Sequence, residues 1–147
     1  MKLSLLKIIA ALSIVFATYS HAVNFADVKL THIKPGKADA IWIRTKQVTP
    51  MYPIELAKRG IAGCGVFKIT VDEDGETDEV ELISSVPEKV IYKPARKVIK
   101  KWQWQNISDQ PNRAEEKQIR LDFCIGGASE EEAKARCEAQ AKMICGV

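Results

Sequence analysis

The sequence predicts a small α+β domain that follows an export signal, and two apolar patterns carry the prediction. Residues 65–72 and 118–124 alternate apolar and polar side chains, which is the period of a half-buried strand. From Ile91 to Trp102 the apolar residues instead recur at the spacing of one helix face. With the flanking segments, the order becomes helix, strand, strand, helix, strand, helix. The crossover helix should therefore pack on one face of the sheet.

The first 22 residues have the features of an export signal. Lys2 and Lys7 precede an apolar run, residues 8–16, and Ser20-His21-Ala22 places small residues before a cleavage site. About a dozen apolar residues follow Lys7, fewer than the ~20 that a membrane-spanning helix needs. We therefore predict a cleaved signal peptide over residues 1–22 and a periplasmic protein. An uncleaved anchor in the inner membrane is the alternative.

Residues 23–48 form a predicted lead-in segment. It is polar and weakly patterned, and only residues 40–44 have the composition of a short strand. The main domain follows over residues 49–126. Its first helix is expected to begin at Pro53, a residue suited to a first helical turn, and to end at Gly60.

A hairpin comes next in the predicted domain. The strand over residues 65–72 points Phe67, Ile69 and Val71 inward, and a second strand covers residues 79–84. The acidic turn between them lacks the spacing of a calcium loop, because Gly75 is the fourth residue from Asp72 rather than the sixth. We predict a turn there, and no metal site in the chain.

The second half of the domain ends in a strand, and a helix follows it. Pro94 fits the first turn of the helix that starts near Ile91. The strand over residues 118–124 has inward apolar side chains, at Ile119, Leu121 and Phe123. Ser129 and Glu132 then form a capping box that opens a last helix, within a cysteine-containing segment over residues 127–147.

All four cysteines lie after the predicted signal: Cys64, Cys124, Cys137 and Cys145. An even number of cysteines in an exported chain indicates disulfides. Zinc is the competing interpretation, but there is no CxxC pair, and His32 is the one histidine outside the signal. We therefore predict disulfides.

Charge gives no indication of a nucleic-acid partner. Without Lys2 and Lys7 the basic residues fall from 22 to 20 against 19 acidic ones, and the net charge falls from +3 to +1. Six cations do cluster on or beside the second helix: Lys89, Lys93, Arg96, Lys97, Lys100 and Lys101. We interpret them as a solvated helix face, with weak contact to anionic envelope polymers as the alternative.

Catalysis has little support in the sequence. A Ser/His/Asp or Cys/His arrangement would have to use His32, which lies in the weakly patterned lead-in segment. We predict that the protein is not an enzyme, with a hydrolase as a distant alternative. No cofactor and no small-molecule substrate are expected.

Several ordered motifs resemble the C-terminal domain of TonB. They are Tyr52-Pro53 before a short helix, Gly63 before a strand, Asp74-Gly75 in the turn, and a helix that ends in Lys100-Lys101-Trp102-Gln103-Trp104. The resemblance covers about residues 49–126. It implies a three-stranded antiparallel sheet with the first strand central and the last strand at an edge. It also implies periplasmic binding of an extended peptide, the TonB box of outer-membrane receptors, in energy-coupled transport with inner-membrane motor proteins.

The resemblance assigns the docking site to the last strand and to the segment before the first helix. The residues concerned are Thr49, Met51, Tyr52, Gln118, Ile119, Arg120, Leu121, Asp122 and Phe123. Four features depart from classical TonB proteins, of which the first is the short N-terminal apolar run in place of an uncleaved anchor. There is no Pro-rich spacer, Ser13 and His21 are eight residues apart rather than four, and Thr49 replaces a glutamine that contacts the receptor peptide. A periplasmic scaffolding protein that uses the fold without transducing energy is therefore the alternative.

The implied sheet also predicts the disulfides. If the first and last strands are antiparallel neighbours, Cys64 and Cys124 share the sheet face that points away from the helices, at adjacent strand ends. We predict that they pair. Cys137 and Cys145 would then pair with each other, which requires the last helix to end or turn back near residues 141–143, since eight helical residues rise ~12 Å.

Overall fold

The structure, a computed structural model, describes residues 24–44 and 50–146. Within these residues lie strands β1 (Ala26–Lys34), β2 (Trp42–Ile43), β3 (Gly63–Val71), β4 (Thr77–Val86), β5 (Gln105–Asn106) and β6 (Glu115–Ile125), and helices α1 (Ile54–Lys58), α2 (Tyr92–Ile99) and α3 (Glu130–Gln140). The predicted signal peptide over residues 1–22 lies outside the described residues, as does Thr49. In the described part of the chain, no helix is long and apolar enough to cross a membrane.

The main sheet is antiparallel and has the strand order β1-β6-β3-β4. The predicted α+β class is confirmed, and β3 lies between β4 and β6 as expected. The prediction that the last strand lies at an edge is wrong. β1, which was predicted only as part of a lead-in segment, pairs with β6 from Ala26 opposite Ile125 to Lys34 opposite Gln118.

The core lies between the sheet and the first two helices. The inward side chains of β3 and β6 are buried as the alternation predicts, among them Phe67, Ile69, Val71, Ile119, Leu121 and Phe123. Ala95 and Ile99 of α2, and Ile91 just before it, pack against them. Each fully buried large side chain contributes about 1.5–3 kcal/mol relative to exposure.

Two predicted local features, the turn before β4 and the helix α2, are present, and the helix ends earlier than predicted. The turn before β4 is held by Asp72, whose carboxylate accepts from the backbone N–H groups of Asp74 and Glu76, as in an Asx turn rather than a calcium loop. α2 ends at Ile99, earlier than the apolar periodicity suggests. Trp102 is nevertheless 4% exposed, so its prediction as a core residue is confirmed.

A small second sheet joins β2 to β5, and it confirms the short strand expected within residues 40–44. The carboxylate of Glu115, at the start of β6, accepts from the backbone N–H groups of Ile41 and Trp42. The indole of Trp42 donates to the carbonyl of Arg113. These contacts fasten the small sheet to the beginning of β6.

Helix α3 packs against β1 and β6. The predicted capping box is present: Ser129 accepts from the N–H of Glu132, and the Glu132 carboxylate accepts from the N–H of Ala128. Cys137 of α3 is bonded to Cys124, whose side chain alternates with the core residue Phe123. α3 therefore covers the sheet face opposite to α2.

Both predicted disulfide pairings are wrong. The bonds join Cys64 to Cys145 and Cys124 to Cys137, with Cα atoms 5.8 and 5.4 Å apart. The register sets Asp122 opposite Cys64, so Cys124 is a diagonal neighbour at ~7–8 Å, too far for a bridge. Both cysteines do share one face, but α3 lies over it and reaches Cys124 itself. The chain then turns back after Gln140 and brings Cys145 to Cys64.

Candidate peptide-docking edge

The predicted docking edge of β6 is occupied by β1. The backbone N–H of Gly126 donates to the carbonyl of Phe25 at 2.8 Å, which fixes the phase of the ladder. Because hydrogen-bonded pairs alternate along antiparallel strands, the backbones of Cys124, Asp122 and Arg120 face β1. Leu121 and Phe123 face β3 instead. The expectation that residues 118–123 present an open edge is therefore wrong, since both sides are paired.

On the core side of the sheet, apolar residues hold β1. Val28 is 4% exposed and lies opposite Phe123, and Leu30 lies opposite Leu121. His32 is in edge contact with Trp104, with ring centroids 6.4 Å apart. The signal for this strand in the sequence is short, since only Val28 and Leu30, with Lys29 between them, show the period of a strand.

On the other side of the sheet, β1 lies beneath α3. The Sγ atom of Cys137 lies 3.5 Å from the carbonyl oxygen of Asp27 and 3.4 Å from that of Asp122. The disulfide to Cys124 ties this helix to β6, whereas β1 contains no cysteine. The edge of β6 is thus flanked by a covalently attached helix and filled by a strand without a covalent cross-link.

Arg120 and Asp122 form a buried ion pair that anchors the end of α3. The guanidinium of Arg120 donates to both carboxylate oxygens of Asp122, at 2.8 and 2.9 Å, and the amide of Gln140 donates to the same carboxylate at 3.1 Å. Arg120 also donates to the carbonyls of Gln140 and Met143. Asp122 is fully buried, so its charge does not face solvent although it lies on the sheet face away from α1 and α2. Arg120 and Asp122 hold the helix that covers them.

In the segment before α1, Tyr52 packs against the core and Met51 lies at the surface. Tyr52 packs on Phe123 with ring centroids 5.6 Å apart, and its hydroxyl donates to the carbonyl of Ile61 at 2.7 Å. Burial raises the pKa of Tyr52 to about 12. Met51, in contrast, is 55% exposed and does not lie on β6. Of the predicted docking residues in this segment, Tyr52 contacts β6 from the core side.

A shallow cleft lies beside Met51. Its volume is about 170 Å³, and it is lined by α1 and α2 residues that include Ile54, Pro94, Val98 and Lys97. Lys97 pairs with Glu55 at 2.5 Å.

The whole predicted basic face is exposed, as expected of a solvated helix: Lys89, Lys93, Arg96, Lys97, Lys100 and Lys101.

Two outer edges of the main sheet remain. On β4, the hydroxyl of Tyr92 donates to the carbonyl of Val80 at 3.1 Å, and Lys100 donates to that of Asp78. These side chains partly cap that edge. On β1, alternation turns the backbone groups of Ala26 and Leu30 outward, where no further strand lies among the described residues.

Charged side chains are buried in the core near the end of β1. Lys117 is 1% exposed and pairs with Glu115 at 2.6 Å. Burial alone would raise the pKa of Glu115, but hydrogen bonds from Lys117 and from the N–H groups of Ile41 and Trp42 lower it overall. Burial, and then the charge of Lys117, lower the pKa of His32. Within residues 24–44 and 50–146, no group of three His, Cys, Asp or Glu side chains could hold a metal ion.

Comparison with known proteins identifies the family. The family model that describes the C-terminal region of the Gram-negative bacterial TonB protein matches residues 48–125, more than half of the chain. Among solved structures, the chain is similar to the TonB C-terminal domain of Pseudomonas aeruginosa, determined by NMR. That match has 20% identity and a TM-score of 0.41, and it covers 60% of this chain and 88% of that one. No curated protein matches the chain. The chain belongs to the TonB C-terminal family.

Proposed function

We propose that this protein is a periplasmic module that binds an extended, TonB-box-type peptide of an outer-membrane receptor, as part of energy-coupled transport across the envelope. Domains of this family are generally periplasmic and interact with outer-membrane receptors. One observation in this chain carries the proposal. The edge of β6 accepts an extended segment, β1, over eight residue pairs. The receptor peptide is proposed to pair with the same strand.

Strand addition supplies the affinity in this proposal. The backbones of Arg120, Asp122 and Cys124 present N–H and C=O groups on one side of β6. Each main-chain hydrogen bond to a peptide contributes a net ~0.5–1.5 kcal/mol, and side-chain pockets at alternate positions add specificity. Binding should therefore depend on the peptide backbone more than on any one of its side chains.

Methylated peptides test this mode of binding. Peptides from the N-termini of TonB-dependent receptors would be titrated into the exported chain, starting at Val23, with fluorescence anisotropy as the readout. N-methyl groups would be placed on every second peptide amide, which gives two alternating sets, or phases. We expect the phase whose amides point at β6 to lose binding. The opposite phase is the matched control and should retain binding. Equal loss in both phases, or in neither, would show that the peptide does not add as a strand.

Inner-membrane motor proteins are the proposed second partner. Energy coupling requires that the protein be connected to a motor in the inner membrane, directly or through another protein. Native purification from the envelope should recover a receptor together with a motor subunit. Recovery of a receptor alone would leave peptide binding in place and remove the proposed role in energy transduction.

A scaffolding role is the second candidate, and the burial of β1 favours it. Val28 is 4% exposed, and α3 is bonded to β6 by the Cys124–Cys137 disulfide, so the edge is well covered. A protein whose edge stays closed would serve as a structural partner rather than a peptide receptor. Folded protein that binds no receptor peptide in the panel, even when β1 is weakened by Lys29→Pro, would support this candidate.

A further inference from the structure

We propose that β1 is an exchangeable strand, and that a partner segment with the same side-chain pattern displaces it from its place beside β6. We call this place the seat: it lies between α3 on one side and the core residues Leu121 and Phe123 on the other. The inference deepens the proposed function, and it rests on that function for the identity of the partner. The exchange itself depends only on how β1 and α3 are attached to β6.

The attachment of β1 is entirely non-covalent. Both disulfides connect the C-terminal segment to the sheet, one to Cys64 of β3 and one to Cys124 of β6. β1 is held by its ladder to β6, by Val28 and Leu30 in the core, and by contact with α3. It can therefore leave without breaking a covalent bond and without opening the β3–β6 pairing.

The α3 wall of the seat is expected to remain when β1 leaves. The Cys124–Cys137 bond and the hydrogen bonds of Gln140 with Arg120 and Asp122 join α3 to β6 directly. Arg120 also donates to the carbonyl of Met143, just after the helix. None of these interactions involves a side chain of β1. The vacated seat would thus keep its width, with α3 on one side and the core on the other.

The seat determines the kind of segment that fits it. Positions equivalent to Val28 and Leu30 face Phe123 and Leu121, so they require apolar side chains two residues apart. A charge at the position of Val28 would be buried without a partner, which is costly. The intervening positions, Lys29 among them, are partly exposed and suit polar side chains. The partner is therefore an extended, alternating segment that runs antiparallel to β6.

A resident strand lowers the apparent affinity of any competitor. Binding is reduced by the fraction of molecules in which the seat is open, so weakening β1 should strengthen peptide binding. Lys29 is the position for such a change, because its backbone pairs with Asp122 on β6. Proline there removes a ladder hydrogen bond. Ala26→Pro is the matched control, since the Ala26 N–H points away from β6.

The test uses this chain's own strand as the probe. A fluorescein-labelled peptide of residues 24–34 would be titrated into the exported chain and its Lys29→Pro and Ala26→Pro variants. We expect Lys29→Pro to bind the peptide about two- to tenfold more tightly than the wild type, as one lost ladder bond implies, and Ala26→Pro to bind like the wild type. Circular dichroism checks folding, and Thr31→Pro, also paired to β6, replaces Lys29→Pro if that variant unfolds.

Hydrogen exchange identifies where the peptide binds. With the peptide bound, β1 amides of the chain should lose protection while α3 amides keep it. No binding by a folded weakened variant would overturn the inference. So would binding that leaves β1 protected, because the peptide would then have added to the outer edge of β1. If this probe displaces β1 but no receptor peptide binds, the proposed function is wrong and the strand exchange remains supported.

Discussion

Ionisable side chains lie in the interior at two places in the sheet, and in both cases the ionised groups are paired. Asp122 is enclosed by Arg120 and Gln140 beneath α3, and Lys117 is enclosed on the core face beside Glu115. The sequence shows these residues only as polar positions of an alternating strand. Their burial could not be predicted from it, because it depends on α3 and on the small sheet, which cover β6 from distant parts of the chain.

The Glu115–Lys117 pair gives the first prediction. Glu115→Gln leaves the buried Lys117 without its counter-charge, and we expect a loss of about 3–5 kcal/mol in the free energy of unfolding. Urea denaturation measures it. Adding Lys117→Met should restore much of the loss, since the unpaired charge is gone. The exposed Lys97–Glu55 pair is the control, and Glu55→Gln should change stability little. Equal effects at the two sites would contradict the assignment.

His32 gives a pH dependence with a defined sign. Its pKa is lowered in the folded state, mainly by burial and next by the charge of Lys117. Below its ordinary pKa of 6.5, the unfolded chain therefore takes up the proton more readily than the folded one. The contribution of neutral His32 to the free energy of unfolding should be fully present above pH 6.5. It should decrease as the pH falls from there toward the lowered pKa of the folded state. His32→Gln should flatten the stability profile between pH 7.5 and about 5.5. An unchanged slope would contradict the effect.

Elements were predictable where one pattern determined them locally. β3 and β6 follow apolar alternation over most of their length, β4 follows it around Val80 and Leu82, and α3 begins at the capping box of Ser129. β1 was missed because its apolar residues are few and its partner strand lies about 90 residues later in the chain. The disulfide pairing failed for a related reason: strand parity placed Cys64 and Cys124 on one face but could not show that α3 would lie over them.

The two disulfides should differ in their contribution to stability. The Cys64–Cys145 bond spans 81 residues and the Cys124–Cys137 bond spans 13. In the chain-entropy model these correspond to about 4.5 and 3 kcal/mol. Replacing each pair by serine, with urea unfolding as the measurement, should show the larger loss for the longer loop. Peptide mapping without reduction provides the check on pairing, and any Cys64–Cys124 fragment would contradict the fold described.

At the scale of the whole molecule, a TonB-family domain carries its own added strand. The family match covers residues 48–125, and two of the elements outside it, β1 and α3, close the edge that the resemblance assigned to a receptor peptide. Fold class and central strand were therefore predictable from the family-like part of the sequence. Whether the edge of β6 is open or paired was not predictable, because it depends on the segments before and after that part.

Hydrogen exchange of single β6 amides, followed by NMR on residues 23–147, tests the occupancy of this edge most directly. The amides of Arg120 and Asp122 face β1, while those of Leu121 and Phe123 face β3. All four should be protected in the wild type. In Lys29→Pro, Arg120 and Asp122 should exchange faster while Leu121 and Phe123 stay protected. Fast exchange of Arg120 and Asp122 in the folded wild type would show that the edge is open and that β1 does not fill it.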